Sequence, residues 1–66
     1  MSTENIGINA GAVWKVLNEK GEMDVKALKK SAKLSEKDLN MALGWLAREG
    51  KIEFNETEEN LLVHLV

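Results

Sequence analysis

Few residues of this 66-residue chain have the types and spacing that catalysis or metal binding requires. The chain has no cysteine, which excludes a disulfide scaffold, a thiolate zinc site and a cysteine nucleophile. Its single histidine, His64, stands among apolar residues, and Ser35 has no neighbouring base to activate it. The acidic cluster Glu56, Glu58 and Glu59 lacks the aspartate spacing and central glycine of a calcium loop. The sequence therefore predicts no enzyme, no metal site, no cofactor and no small-molecule substrate.

A concentration of basic residues is the other feature with chemical consequences. Residues 26–51 contain seven Lys and Arg against three acidic residues, a net charge of +4, whereas residues 52–66 contain four Glu and no Lys or Arg. The i, i+4, i+7 spacing of Lys26, Lys30 and Lys33 predicts a positive stripe along a helix. Such a stripe suits a polyanion such as double-stranded DNA, or the acidic hairpin of a second copy of the chain.

The elements that position these residues begin with a predicted helix over residues 6–19. Asn5 is expected to be its N-cap and Gly21 its stop. Its buried face, with Val13 and Trp14 as core residues, follows from the apolar spacing of Ile6, Ala10, Val13, Trp14 and Leu17.

Residues 23–25 are predicted to be a short extended stretch that pairs with a later strand. A second helix follows over about 25–33, with its lysine stripe directed outward. Its inward residues are predicted to be Val25, Leu28 and Ala32, and Leu34 lies in the connection.

Ser35 is the expected N-cap of a third helix, in which acidic residues of the first turn suit the positive end of the helix dipole. Gly50 is expected to end it. The buried face is predicted to consist of Leu39, Ala42, Leu43 and Leu46. At 100° per residue, the opposite face carries Lys37, Met41, Gly44 and Arg48, flanked by Asn40 and Trp45.

The C-terminal residues alternate as a β-hairpin. Residues 51–54 are predicted to form a strand with Ile52 and Phe54 inward, residues 55–60 a polar turn, and residues 61–66 the returning strand. The inward residues of the returning strand are predicted to be Leu61, Val63 and Leu65.

Two helices joined by a few residues and followed by a hairpin form a helix-turn-helix with a wing. The stretch Leu39–Ile52 resembles the third helix and the start of the wing in winged helix-turn-helix proteins. Together with Asn9–Leu17, it is similar to a family of short, stand-alone winged helix domains found in prokaryotes. The resemblance covers essentially the whole chain. It implies an α+β winged helix-turn-helix fold, three helices with a small antiparallel β-sheet, in one domain over residues 1–66.

The resemblance also places the third helix in the position that recognises DNA. The implied function is a small DNA-binding, transcription-regulatory module, and the alternative is a protein-interaction or assembly domain of the same fold without DNA affinity. Acidic residues oppose DNA binding at the start of the third helix and at the hairpin tip, where a gripping wing favours Lys or Arg. The predicted nucleic-acid-binding residues are Lys26, Lys30, Lys33, Lys37, Asn40, Met41, Gly44 and Arg48.

The last strand is apolar on both faces, because Leu62 and Val66 alternate with the inward residues. One explanation is a one-residue register shift, with the second face covered by the first helix or a chain terminus. The other is a subunit interface, which adds burial to a core that by itself supplies only about 3–5 kcal/mol. We predict a homodimer whose interface contains Met41, Trp45, Leu62, His64 and Val66.

Two observations bear on the compartment. The longest apolar run, at residues 61–63, is far too short to cross a bilayer. Residues 1–5 lack the basic start and apolar stretch of a secretory signal. The sequence therefore predicts a cytoplasmic protein with no membrane partner.

Overall fold

The computed structural model describes the chain from Thr3 to Val66, with side chains described from Asn5 onward. Three helices and three strands follow one another in the order that the sequence predicts: helix, short strand, two helices and a hairpin. The elements are α1 (Thr3–Lys20), β1 (Met23–Asp24), α2 (Val25–Ala32), α3 (Glu36–Arg48), β2 (Ile52–Glu56) and β3 (Leu61–Leu65).

Local capping chemistry sets most of the helix ends. The side chain of Ser35 accepts a hydrogen bond from the backbone N–H of Asp38 at 3.1 Å, so the predicted N-cap of α3 is confirmed. Gly50, at φ 72°, adopts the left-handed backbone conformation that glycine tolerates best, and it ends α3 as predicted. Asp24 caps α2 in the same way as Ser35 caps α3, by accepting from Lys26 N–H at 2.7 Å.

Two predicted helix ends differ from the structure. The N-cap prediction for Asn5 is wrong, because α1 begins at Thr3 and Asn5 lies inside it. α2 ends one residue earlier than predicted, because Lys33 takes a left-handed conformation at φ 57°. Its backbone N–H donates to the carbonyl of Lys30 at 3.2 Å, which closes the last turn. At the end of α1, Gly21 is the expected stop, with φ 80°.

The sheet is antiparallel, with β3 between β1 and β2. β1 pairs Met23 with Val63, which confirms that the short extended stretch joins a later strand. In the hairpin, Phe54 is also opposite Val63, and Glu53 is opposite His64. Because neighbouring residues of a strand point to opposite faces, Val63 lies on the face that meets the helices and His64 on the other face.

The core lies between the three helices and one face of the sheet. All four predicted inward residues of α3 are buried, and Leu28 is the fully buried residue of α2. The buried residues are Ala10, Val13, Leu17, Leu28, Leu39, Ala42, Leu43, Leu46, Ile52 and Val63.

Three residues predicted to be in the core are exposed. Trp14 is 39% exposed, because it lies 100° from Val13 and therefore at the edge of the buried face of α1. Phe54 and Leu61 are 44% and 39% exposed, although both share the face of Val63. Phe54 lies on the edge strand β2, opposite the fully buried Val63 of the central strand, and Leu61 lies next to the hairpin turn.

Candidate nucleic-acid interface

Four exposed lysines lie together on α2 and its cap. Lys26, Lys29, Lys30 and Lys33 surround the half-buried Leu34 and form the α2 lysine face. The turn at Lys33 places its side chain with the others, since its backbone bonds to the carbonyl of Lys30. Lys29 was not among the predicted site residues, and its place in the lysine run of residues 26–33 is the signal that could have found it. The other three lie outward as predicted.

The residues opposite the buried side of α3 form a second exposed surface, the α3 outward face. It consists of Lys37, Met41, Gly44 and Arg48, all exposed as predicted. At 1.5 Å of rise per residue, Lys37 and Arg48 are separated by about 16 Å along the axis. Asn40 and Trp45 flank this face on opposite sides, Asn40 towards α2 and the hairpin, Trp45 towards α1.

A groove of about 420 Å³ separates α2, α3 and the hairpin tip. Lys26 and Lys29 line it from α2, and Asn40 lines it from α3. Glu36 and Glu59 introduce negative charge into the same groove. It therefore joins the α2 lysine face to the side of α3, but with acidic residues within it.

Hydrogen bonds within the turn order the hairpin tip next to this groove. Thr57 accepts a hydrogen bond from Asn60 N–H at 3.0 Å, and its own N–H donates to the Asn60 carbonyl at 2.8 Å. With its amide nitrogen directed at the start of α2, Asn60 donates to the carboxylate of Asp24 at 2.9 Å. Of the glutamates of the tip, Glu59 lines the groove beside α2 and α3.

The basic residues of the described part of the chain are not neutralised by contact with carboxylates. Ion pairs within 4.0 Å among the described side chains involve only His64, with Glu22 at 3.2 Å and Glu53 at 3.4 Å. Lys20 donates to the hydroxyl of Ser31 rather than to a carboxylate. The lysines of the α2 face and the two cations of the α3 outward face are consequently available to an external anion.

His64 links three parts of the sheet. Its Nδ1 contacts Glu22, just before β1, and its Nε2 contacts Glu53 on β2. The imidazole ring therefore lies between two acidic side chains, although the Nδ1 atom has no partner in hydrogen-bond geometry among the described residues. The contacts give His64 a structural role across the strands. Its spacing to Glu22, 42 residues away, carried no sequence signal for this pairing.

The predicted dimer residues do not form one patch. Met41 and Trp45 lie on α3, whereas the half-buried Leu62 and His64 lie on the face of the sheet that points away from the helices. Val66 is 76% exposed at the end of the chain and donates its N–H to the Lys51 carbonyl. An interface that uses Met41 and Trp45 is therefore separate from one that uses Leu62 and His64.

The described residues were predicted from the sequence to contain neither a metal site nor a membrane span. No group of three His, Asp or Glu side chains is arranged to hold a metal ion there. None of the helices in the described part of the chain is long and apolar enough to span a membrane.

Comparison with known proteins identifies the family. A family model described as "Winged helix-turn-helix domain (DUF2582)" matches residues 1–65. The solution NMR structure of protein BT2368 from Bacteroides thetaiotaomicron is similar, with a TM-score of 0.88 and 32% sequence identity over 98% of this chain and 79% of that one. No curated protein matches the chain. The predicted winged helix fold is confirmed, and the chain belongs to the DUF2582 family of winged helix-turn-helix domains.

Proposed function

We propose that this protein is a small DNA-binding, transcription-regulatory module that acts as a dimer. The observation that supports the proposal best is a set of six exposed cations on two adjacent helices, none within 4.0 Å of a described carboxylate. These cations are Lys26, Lys29, Lys30 and Lys33 on the α2 lysine face, and Lys37 and Arg48 on the α3 outward face.

The α3 outward face has the features of a surface that enters a major groove. Lys37 and Arg48 lie at its two ends, where they can contact phosphates on either side of the groove. Asn40, on its flank, has an amide that can form paired hydrogen bonds with an adenine edge. Gly44 lies between Lys37 and Arg48 and leaves the middle of the α3 outward face accessible. A Cβ atom placed there meets no described atom of the chain outside its own helix within 4 Å.

The α2 lysine face supplies sequence-independent affinity. In a helix-turn-helix, the helix before the recognition helix crosses the DNA backbone, and α2 has this position in the chain. Six neutralised phosphates correspond to a slope of about −5 in log affinity against log salt. The acidic hairpin tip opposes this attraction. We therefore expect a single copy to bind DNA weakly and a dimer to bind it more tightly.

A protein-interaction or assembly domain without DNA affinity is the second candidate function. Several large apolar side chains of the described chain are exposed, among them Trp14, Met41, Trp45 and Val66. Exposed apolar patches are typical of protein-binding surfaces. This candidate predicts that the lysines of α2 contribute nothing to the function.

An NMR titration of isotope-labelled protein with a random-sequence duplex distinguishes the two candidates. At roughly 50 mM salt, we expect shift changes confined to residues 26–33 and 37–48, and an affinity that falls about a thousandfold on going to 200 mM salt. The variant Lys30→Glu should weaken binding more than tenfold. The control Lys15→Glu has the same net charge, but its exposed side chain is on α1.

The control separates the effect of the position of a charge from the effect of net charge. Equal losses in the two variants would mean that only net charge matters and that the proposed surface is wrong. Absence of shift changes at low salt would refute DNA binding and favour the assembly function.

A further inference from the structure

An open groove of about 280 Å³ lies between α1 and α3, on the side of α3 opposite the α2 lysine face. Trp14 and Trp45 line it, 39% and 38% exposed. Its α1 wall is formed by two glycines one turn apart, Gly7 and Gly11. The sequence does not predict this α1–α3 groove, because the apolar spacing of α1 places Trp14 in the core.

Nothing in the described part of the chain itself explains the two glycines. Both lie inside α1 and neither has a positive φ, so the backbone does not require glycine at these positions. A Cβ atom placed at either residue meets no described atom of the chain outside its own helix within 4 Å, so packing does not require it either. Each glycine nevertheless costs helix stability, about 1 kcal/mol relative to alanine. Glycines without an internal reason, beside two exposed indoles, indicate close approach by an external surface.

We infer that the α1–α3 groove binds a second copy of this chain about a two-fold axis. In a two-fold interface the same surface patch of both copies is in contact, so the patch must be complementary to itself. This one does: the indoles of Trp14 and Trp45 project beside the notch that Gly7 and Gly11 leave open. An indole of one copy can therefore occupy the glycine notch of the second copy.

The charges of the groove are also self-complementary. Glu49 and Lys51 both line it, have opposite signs, and are two residues apart. Neither has a partner of opposite charge within 4.0 Å among the described side chains. A two-fold axis places Glu49 of one copy near Lys51 of the second copy, and the reverse pair forms by symmetry.

The apolar area sets the expected strength of this dimer. A fully buried aromatic side chain covers about 150–250 Å², so the exposed fractions of the two tryptophans leave roughly 120–190 Å² per copy to bury. A standard interface buries about 800 Å² per partner. The exposed area of the tryptophans is well below this value, so we expect a dimer that forms reversibly and depends on protein concentration.

The inference rests on the dimer of the proposed function and gives that dimer a location. The groove is reached from the Trp45 side of α3, whereas the DNA contacts are assigned to the α3 outward face and to the Asn40 side. A dimer formed at the groove therefore leaves both α2 lysine faces accessible. Of the two α3 residues predicted to lie in the interface, Trp45 lines the groove, whereas Met41 lies on the α3 outward face.

The test is sedimentation equilibrium of the full chain, wild type against Gly11→Gln. The added side chain has open space in the isolated chain and improves helix propensity, so the fold is not weakened. It fills the notch, and we expect the dimer Kd to rise at least tenfold. The control Ala12→Gln introduces the same side chain at an exposed residue of α1 that does not line the groove, and it should associate like the wild type.

Intrinsic fluorescence provides a second readout. The chain contains two tryptophans and no tyrosine, and both tryptophans line the groove. Dimerisation at the groove should shift the emission to shorter wavelength as protein concentration rises, and Gly11→Gln should abolish this shift. A wild-type protein that stays monomeric at 1 mM, or a Gly11→Gln variant that associates like the wild type, overturns the inference.

These outcomes are independent of DNA. A dimer that is disrupted by Gly11→Gln but shows no affinity for duplex supports the groove and removes the proposed DNA contact. A monomer that binds duplex through residues 26–48 removes the groove dimer and keeps the DNA contact.

Discussion

Gly44 allows the DNA proposal to be tested by a substitution that should stabilise the fold. It lies in the interior of α3, without a positive φ, and the space around its missing Cβ is open. Along the axis it is about 10 Å from Lys37 and about 6 Å from Arg48. The perturbation is Gly44→Gln, which adds an uncharged side chain at the middle of the α3 outward face.

Two effects of opposite sign are expected. Stability should increase by about 0.5–1 kcal/mol, because glutamine is a good helix former and glycine is a poor one. DNA binding should weaken, because the new side chain holds the duplex away and removes one charge-assisted hydrogen bond from Lys37 or Arg48. Such a bond contributes about 1.5–3 kcal/mol, which corresponds to a roughly 10- to 150-fold loss of affinity.

Urea unfolding followed by circular dichroism measures the first effect, and fluorescence anisotropy with a labelled random duplex at about 50 mM salt measures the second. The control Ala12→Gln, on α1, should leave the affinity unchanged. An affinity for duplex that is unaltered in a more stable Gly44→Gln protein would refute the assignment of the α3 outward face to the DNA groove. A loss of stability would show instead that Gly44 is needed within the chain.

The remaining predictions concern the wing and the core. Replacing Glu58 and Glu59 by Gln should raise the affinity for duplex about three- to tenfold at low salt and less at high salt, because two negative charges near phosphates are removed. The control Glu19→Gln removes a charge from α1, and equal gains in both proteins would contradict contact by the wing. Leu28→Ala, at a fully buried residue, should lower the free energy of unfolding by about 2–5 kcal/mol, out of a total of roughly 3–10 kcal/mol for a chain of this length. Urea unfolding checks it, and a loss below about 1 kcal/mol would contradict the central place of Leu28 in the core.

Local chemistry made much of the fold predictable. The cap at Ser35 and the stop at Gly50 depend on a single side chain or a single backbone angle, and both were predicted. The buried residues of α3 follow from helical spacing alone. Asn5 has the same capping chemistry as Ser35, but α1 includes it and extends to Thr3, so the presence of a capping residue does not by itself locate a helix end.

Periodicity predicts the face of a residue but not what covers that face. Phe54 and Leu61 have the predicted orientation, yet both are more than a third exposed. Their burial depends on how far the neighbouring helices extend, which no spacing within a strand encodes. Trp14 fails for a related reason, because a residue at the edge of a helical stripe is buried only if a second helix closes over it.

The candidate surfaces show the same division. The exposure of Lys37, Met41 and Arg48 was predictable, because the residues that form the buried face of α3 also determine which residues lie on its opposite face. The groove shared by Trp14 and Trp45 was not, because it depends on the crossing of α1 and α3, which are far apart in sequence. The four-residue spacing of Gly7 and Gly11 was the available signal, and it gains meaning only when the open space beside it is known.

Dimerisation explains how a chain with a net charge of −2 and an acidic wing could bind DNA. Non-specific binding by one small domain typically has a Kd of about 10⁻⁴–10⁻⁶ M at physiological salt. We expect Glu59, which lines a groove with Lys26 and Lys29, to weaken it further. Pairing two copies makes the second contact intramolecular, at an effective concentration that can strengthen binding by about 10²–10⁴ without any new contact. The wing would then suppress binding by single copies, while a correctly spaced pair of sites recovers the affinity. On this reasoning the groove dimer is a condition for useful DNA binding, and Gly11→Gln should lose affinity for paired sites while keeping the weak binding of one copy to one site.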